Sequence, residues 1–222
     1  MSFMMCPKKY LKMPKKTVAH KIRIIEKTGM TEPPSSSLDA LTISNSNNDG
    51  DIQYVQYRDE KHLEKIMKLV EKDLSEPYSI FTYRYFLHQW PELCILAFRN
   101  YDESNEEQSE LVGCIVGKID YDDNTQLSTP EPSVKSGYIG MLAVDSNQRK
   151  KGIGTTLACQ VLDQMRKQGC TSVMLETEAV NKGAMRLYER LGFIREELLV
   201  KYYLNWGDAY RLRMWYTEPV II

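Results

Sequence analysis

The chain has little of what metal-dependent and thiol-dependent sites require. Its three histidines, His20, His62 and His88, all precede position 100, and its five cysteines, Cys6, Cys94, Cys114, Cys159 and Cys170, form no CxxC pair. This distribution speaks against a zinc knuckle and a disulfide framework, and it leaves the C-terminal half without a histidine to activate a serine or cysteine nucleophile. No metal is expected. Four of the five cysteines sit inside apolar segments, where a free thiol packs as a small hydrophobe, and the odd count suits a reducing compartment. No apolar run approaches the length that crosses a bilayer, and the first residues lack the apolar core of a secretory signal. The expectation is a cytoplasmic protein that engages no membrane. A formal net charge of -1 supplies no general attraction to DNA.

What charge there is lies unevenly. Residues 1–27 carry eight Lys/Arg against one acid, and "EPPSSSLDALTISNSNNDGD" follows without an apolar period. Residues 1–50 are therefore read as a disordered basic tail and polar linker, too poor in apolar surface to fold. A solvated tail without a specific task is the plainer account. An electrostatic tether to RNA and an organelle presequence are the sharper ones, although lysines and two prolines suit a presequence poorly.

From position 51 to 222 the pattern is that of one folded domain. "IQYVQYR" alternates as a strand does, and "DEKHLEKIMKLVEKDL" places Leu63, Ile66, Met67 and Val70 on one helical face. "SEPYS" breaks that helix, and the aromatic segment "IFTYRYFLHQW" predicts a second one, ended by Pro91. Strands follow at "LCILAF", "LVGCIVGKI" and, after a polar insertion from Tyr121 to Ser136, "GYIGMLAV". A helix with Ile153, Leu157, Val161, Leu162 and Met165 at helical spacing leads to the strand "SVMLETE". A short helix over "NKGAMRLYERLG" then presents Ala184, Leu187, Tyr188 and Leu191 on one face, with Gly192 as its stop. "IREELLVKYYL" and "AYRLRMWY" read as two closing strands joined at "NWGD". The order β-α-α-β-β-β-α-β-α-β-β implies an α/β domain with a mixed, twisted sheet.

Between one strand and the next helix lies "QRKKGIGTTL", a basic glycine turn of the kind whose backbone N–H groups converge on an anion. It is not a P-loop, which needs GxxxxGK[ST]. It is not a dinucleotide fingerprint either, because Leu157 stands where GxGxxG needs its third glycine. "RKKGIG" does fit R-x-x-G-x-G, and about thirty residues on "NKGAMRLYERLGF" fits N-x-x-A-x-x-L-Y-x-x-x-G-F. In these two motifs, and in their order around a strand, the chain resembles the GNAT family of acetyl-CoA-dependent N-acetyltransferases. "DLSEPYSIFTYRYFLHQWPEL", "GYIGMLAVDS" and "MLETEAVN" make it similar in particular to the NatC-type catalytic subunits, over roughly residues 52–216.

The resemblance implies a GNAT fold of about seven strands and about four helices, preceded by the basic N-terminal extension. It implies acetyl-CoA as cosubstrate, its diphosphate held by Arg149, Lys150, Lys151, Gly152, Ile153, Gly154 and Thr155. The expected activity is acetylation of nascent-chain α-amines, at N-termini beginning with Met and a bulky apolar residue. The expected partners are large and small auxiliary subunits, with contact to the ribosome. Lysine or small-amine acetylation and a non-catalytic acetyl-CoA-binding scaffold are the alternatives.

The residues themselves can carry such chemistry. An α-amine with a pKa near ~7.7–8.0 needs only a modest base, and without a nearby histidine a carboxylate is the candidate. Glu176 and Glu178 share one face of their strand, and the resemblance favours Glu176, acting directly or through a water; the competing account is a wet polar strand face. Tyr188 is either the donor to a departing thiolate or a core aromatic, and the motif match favours the donor. Asn181 suits a helix cap, a contact to the pantetheine arm, or both. The amides of Leu142, Ala143 and Val144 are candidate donors to the thioester and its arm. Glu76, Pro77, Tyr78, Tyr138, Glu178, Tyr202 and Tyr203 are expected around the acceptor peptide, against the plainer account of core and hairpin packing. Direct transfer is favoured over a cysteine intermediate, because Cys114 and Cys159 have no histidine partner.

Overall fold

A computed structural model describes residues 52–74, 77–105, 108–121 and 134–216. The expected tail and linker, residues 1–50, and most of the polar insertion lie outside the described residues. Eleven regular elements follow in chain order: β1 (Ile52–Gln56), α1 (Leu63–Asp73), α2 (Ile80–Gln89), β2 (Cys94–Arg99), β3 (Glu110–Tyr121), β4 (Lys135–Val144), α3 (Ile153–Lys167), β5 (Cys170–Glu178), α4 (Lys182–Arg190), β6 (Ile194–Leu199) and β7 (Ala209–Trp215). One sheet in the order β1-β2-β3-β4-β5-β7-β6 holds all seven strands. Only β4 and β5 run parallel, joined by the α3 crossover.

Local chemistry sets the helix boundaries. Asp59 accepts the Lys61 N–H at 2.9 Å ahead of α1, and Ser79 accepts the Thr82 N–H at 3.3 Å to cap α2. Pro91 has no N–H to continue α2 and opens a short 3-10 turn instead. The α4 helix begins at Asn181, whose Oδ1 accepts the Ala184 N–H at 3.0 Å, and stops before Gly192, whose φ of 94° most side chains would resist.

Two apolar layers sandwich the sheet. Tyr83, Phe86 and Leu87 of α2 join Ile66 and Val70 of α1 on one face. Leu157, Val161 and Met165 of α3 join Met185 and Tyr188 of α4 on the other. The five positions expected to face inward from α3 are all buried. In α4 the buried pair is Met185 and Tyr188, while Ala184, Leu187 and Leu191 pack at the margin of the same cluster.

The last hairpin differs from its expected form. Apolar alternation runs on through "VKYYL", yet β6 ends at Leu199 because Lys201 adopts φ 53° and turns the chain out of the sheet. Asp208 fixes this departure by accepting the Lys201 N–H at 2.7 Å. Tyr202 and Tyr203 therefore belong to a loop over residues 200–208.

No helix among the described residues is long and apolar enough to cross a membrane. Cys94, Cys114 and Cys170 are buried free thiols, and Cys159 is exposed.

Burial pushes the Cys94 thiol well up, Cys114 up to about 12 and Cys170 up to about 11. Thiols of an unfolded chain ionise near ~8.5, so the unfolded state releases these protons first. Their contribution to stability is complete below about pH 8.5 and is lost as pH rises toward the folded values. The urea midpoint should hold level from about pH 7 to 8 and fall steadily toward about pH 11. Cys114→Val should make that fall shallower, and a midpoint independent of alkaline pH would refute the assignment.

Candidate active site

The site is created by an interruption in the sheet. Strands β4 and β5 pair only from Lys135–Cys170 to Tyr138–Met174, although both continue for several residues. At the same level β4 carries a bulge, for Gly117 of β3 faces Ile139 while Val116 faces Met141, so Gly140 is the additional residue. The bulge reverses the side-chain alternation of β4. Ile139 belongs to the layer under α3 and α4, whereas Met141, two residues on, belongs to the opposite layer. A side chain is not tolerated easily at Gly140, where a Cβ would approach Phe86 Cζ to 3.0 Å.

Past the bulge, Asp145 donates to Val112 C=O of β3 at 2.9 Å. Alternation then turns Ala143 toward β3 and points the backbone groups of Leu142 and Val144 into the gap. Of the three amides considered from sequence, Ala143 is thus engaged on the β3 side. A cleft opens in the gap, lined by Leu142, Glu176, Glu178, Asn181, Tyr188 and Tyr203 among others.

At one end of the gap stands the glycine turn. Lys150 and Gly152 both have positive φ, 65° and 86°, and Gly152 serves as the N-cap of α3 without any side-chain cap. The first amides of that 15-residue helix, on Ile153, Gly154 and Thr155, are therefore left to an outside acceptor. Gly154 lets the turn lie close to α4, since a Cβ there would meet Leu187 Cδ1 at 3.2 Å. Lys150 and Lys151 are exposed, with Lys151 Nζ donating to Gln148 Oε1 at 2.9 Å. Arg149 is drawn aside. Its Nε donates to Val144 C=O at 3.0 Å, and its Nη2 pairs with Asp73.

Glu176 lies at the floor of the cleft with a side chain only 3% exposed. Its two oxygens have different partners: Arg211 Nε donates to Oε1 and the Tyr138 hydroxyl to Oε2, each at 3.0 Å. Arg211 is also bound by Glu197 at 2.8 Å. Tyr188 of α4 is buried edge-on against Phe193 and reaches the same cleft. Burial pushes its phenol pKa far up, so the hydroxyl keeps its proton at neutral pH.

The expected acceptor residues are only partly brought together. Tyr78 and Tyr203 line the cleft. Pro77 is exposed, and Tyr202 packs edge-on against Tyr203 with ring centroids 5.2 Å apart. Glu76 lies outside the described residues. Two contributors escaped the sequence reading, Arg211 and Asp73. Each reaches the site across a gap of tens of residues, and neither belongs to a recognisable motif. Among the described residues no cluster of His, Cys, Asp and Glu would hold a metal.

The arrangement joins a parted strand edge, whose Val144 is bonded to Asp73 and Arg149, with a basic glycine turn, a buried carboxylate and a protonated phenol. Residues 63–193 match the acetyltransferase (GNAT) family, which is more than half of the chain. The chain is 47% identical over 173 residues to N-alpha-acetyltransferase 30 of Xenopus laevis, covering 78% of this chain and 58% of that protein. It is 47% identical to the Homo sapiens protein of the same name, over 75% of this chain and 42% of the other. The chain thus spans about half the length of these relatives. Among solved structures, a chain from a NatC complex bound to Gag peptide and CoA superposes with a TM-score of 0.66 at 43% identity, covering 75% of this chain and 99% of that one. The chain belongs to the GNAT acetyltransferase family.

Proposed function

We propose that this protein acetylates the α-amine of polypeptide N-termini from acetyl-CoA, as a catalytic subunit of NatC type. The observation that carries the proposal is the separation of β4 from β5 beyond Tyr138, with Glu176 and Tyr188 both reaching into the gap. Similarity to N-alpha-acetyltransferase 30 and to a NatC complex bound to peptide and CoA supports the choice of acceptor.

The residues present fit coenzyme A. The backbone groups of Leu142 and Val144 form an edge on which a pantetheine arm lies as an additional strand. The amides of Ile153, Gly154 and Thr155, with Arg149, Lys150 and Lys151 around Gly152, suit a diphosphate. Asn181 already caps α4 through Oδ1, which leaves its amide nitrogen for the arm. Acetyl-CoA supplies the activated acetyl thioester, and the protein supplies orientation and proton movement. Leu142 N–H faces the gap and stabilises negative charge on the reacting carbonyl oxygen.

Glu176 serves as the base. Because its Oε2 is held by the Tyr138 hydroxyl, the amine proton passes along Tyr138 or a water to the carboxylate. Arg211 fixes the carboxylate in place through Oε1. Tyr188 keeps its proton and donates a hydrogen bond toward the departing sulfur, a role that its burial favours by holding the phenol neutral. Tyr78 and Tyr203, with Glu178 in the same cleft and Pro77 and Tyr202 beside them in the chain, receive the first residues of the acceptor. The acceptor class is Met followed by Leu, Ile or Phe. Large and small auxiliary subunits, a cytoplasmic location and contact with the ribosome belong to the same reading.

A panel of N-terminal peptides tests the acceptor, with and without auxiliary subunits. Met-Leu and Met-Ile peptides should be acetylated, and Ser-, Ala- or Met-Asp-starting peptides should lag at least ~tenfold in kcat/KM. Preference for free lysine or small amines would reject the assignment. Glu176→Gln should lower kcat by about a hundredfold or more while coenzyme A binding, read by calorimetry, is retained. Arg211 keeps Glu197 as a partner in this variant, so its charge stays paired. Tyr188→Phe should likewise lower kcat by ~tenfold or more with KM little changed, and unaltered turnover would reduce Tyr188 to a packing role.

A further inference from the structure

A row of charged and polar side chains crosses the sheet where β4 and β5 part. Lys118 of β3 stands opposite Tyr138 of β4, and Glu176 of β5 stands opposite Arg211 of β7. Lys118 Nζ lies 5.4 Å from the centre of the Tyr138 ring. It donates to Asp120 Oδ1, two residues on along the same strand face, at 2.6 Å. The hydroxyl of that ring donates to Glu176 Oε2, and Arg211 holds Oε1. The tyrosine–carboxylate pair is thus bracketed by two cations, each with a second carboxylate of its own: Asp120 for Lys118 and Glu197 for Arg211. The Lys118 side chain is 21% exposed against 46% for Asp120, so solvent screens the acid more than the ammonium that faces the ring. Tyr138 is also the last β4 residue paired with β5, and on the flank toward the bulge it adjoins Gly140, which has no side chain to steady a ring. An ammonium over the ring face is attracted by its quadrupole and so fixes the direction in which the O–H points.

We infer that Lys118 is a positioning residue for proton removal from the acceptor amine, acting through Tyr138. The inference rests on the reading of Glu176 as base and commits the proton path to the Tyr138 hydroxyl. In that path the ammonium N–H bond breaks as an O–H bond forms on Tyr138, and the hydroxyl's own proton passes to Glu176 Oε2. One proton leaves the amine, one arrives on the carboxylate, and Tyr138 ends as it began. Negative charge grows on the phenolic oxygen during the exchange, and a cation against the ring offsets it. Arg211 favours charge on Glu176 from one side, and Lys118 favours it on Tyr138 from the other.

Steady-state acetylation of a Met-Leu peptide by the full chain, assembled with auxiliary subunits, tests this through a double-mutant cycle. Lys118→Met keeps the stem and removes the charge. It should lower kcat about tenfold, with peptide KM and calorimetric coenzyme A binding changed by less than about twofold. Lys118→Arg keeps a cation for the ring and should recover kcat to within about threefold of wild type. In a Tyr138→Phe background Lys118→Met should lower kcat by no more than about twofold further, because the hydroxyl that it serves is gone. Equal losses in both backgrounds, an unchanged kcat in Lys118→Met or in Tyr138→Phe, or a Lys118→Arg variant as slow as Lys118→Met overturns the inference. Undiminished turnover by Glu176→Gln would instead remove the base itself, and this inference with it.

Discussion

The parting of two parallel strands governs everything else in this structure. If β4 and β5 stayed paired along their full length, the backbone of Leu142 and Val144 would be consumed by the ladder and no cleft would exist. The parting coincides with the bulge at Gly140, where the extra residue strengthens the local twist and reverses which side chains face which layer. Energetically it leaves polar backbone groups without a strand partner, a costly state unless something else bonds them. Asp73 and Arg149 do so at Val144. The protein thus carries, at its centre, a sheet edge held ready by side chains from two different elements.

Around that edge the chemistry is distributed by charge and by burial. Glu176 is clamped between an arginine and a tyrosine, so its position is set to within hydrogen-bond tolerance. Tyr188 is buried among apolar neighbours, which favours its neutral form. The cationic groups lie at the other end, where the glycine turn opens α3. A buried carboxylate, a protonated phenol and a basic glycine turn therefore follow one another along one gap. That is the order in which an amine, a thioester sulfur and a diphosphate would line up along an extended coenzyme.

The absence of histidine from the C-terminal half bears on this design. A lone carboxylate has an ordinary basicity below that of imidazole, and an α-amine requires only modest help to lose its proton. The Tyr138 hydroxyl bonded to that carboxylate fits this demand, because a hydroxyl can pass a proton in either direction. Glu178 shares the strand face of Glu176 and lines the same cleft.

Much of this was legible before any coordinates. Local signals fix the elements. Periodicity places the buried face of α3, and Ser79, Asn181, Pro91 and Gly192 mark the helix ends. The two glycine-centred motifs, being short-range backbone devices, point to the family. At the last hairpin a turn overrides the apolar alternation: β6 stops at Leu199 because Lys201 turns and Asp208, seven residues on, holds the turn. The amino-acid order by itself determined the helices, strands, caps and anion-binding turn, because each is encoded within a few neighbouring residues. Only the tertiary structure decided that β4 bulges and leaves β5, that Ala143 turns away from the gap, and that Tyr138, Glu176 and Arg211 form one bonded group. Those facts depend on contacts between residues 35 and 38 positions apart, and for Asp73 and Arg149 on a separation of 76, which no local pattern records.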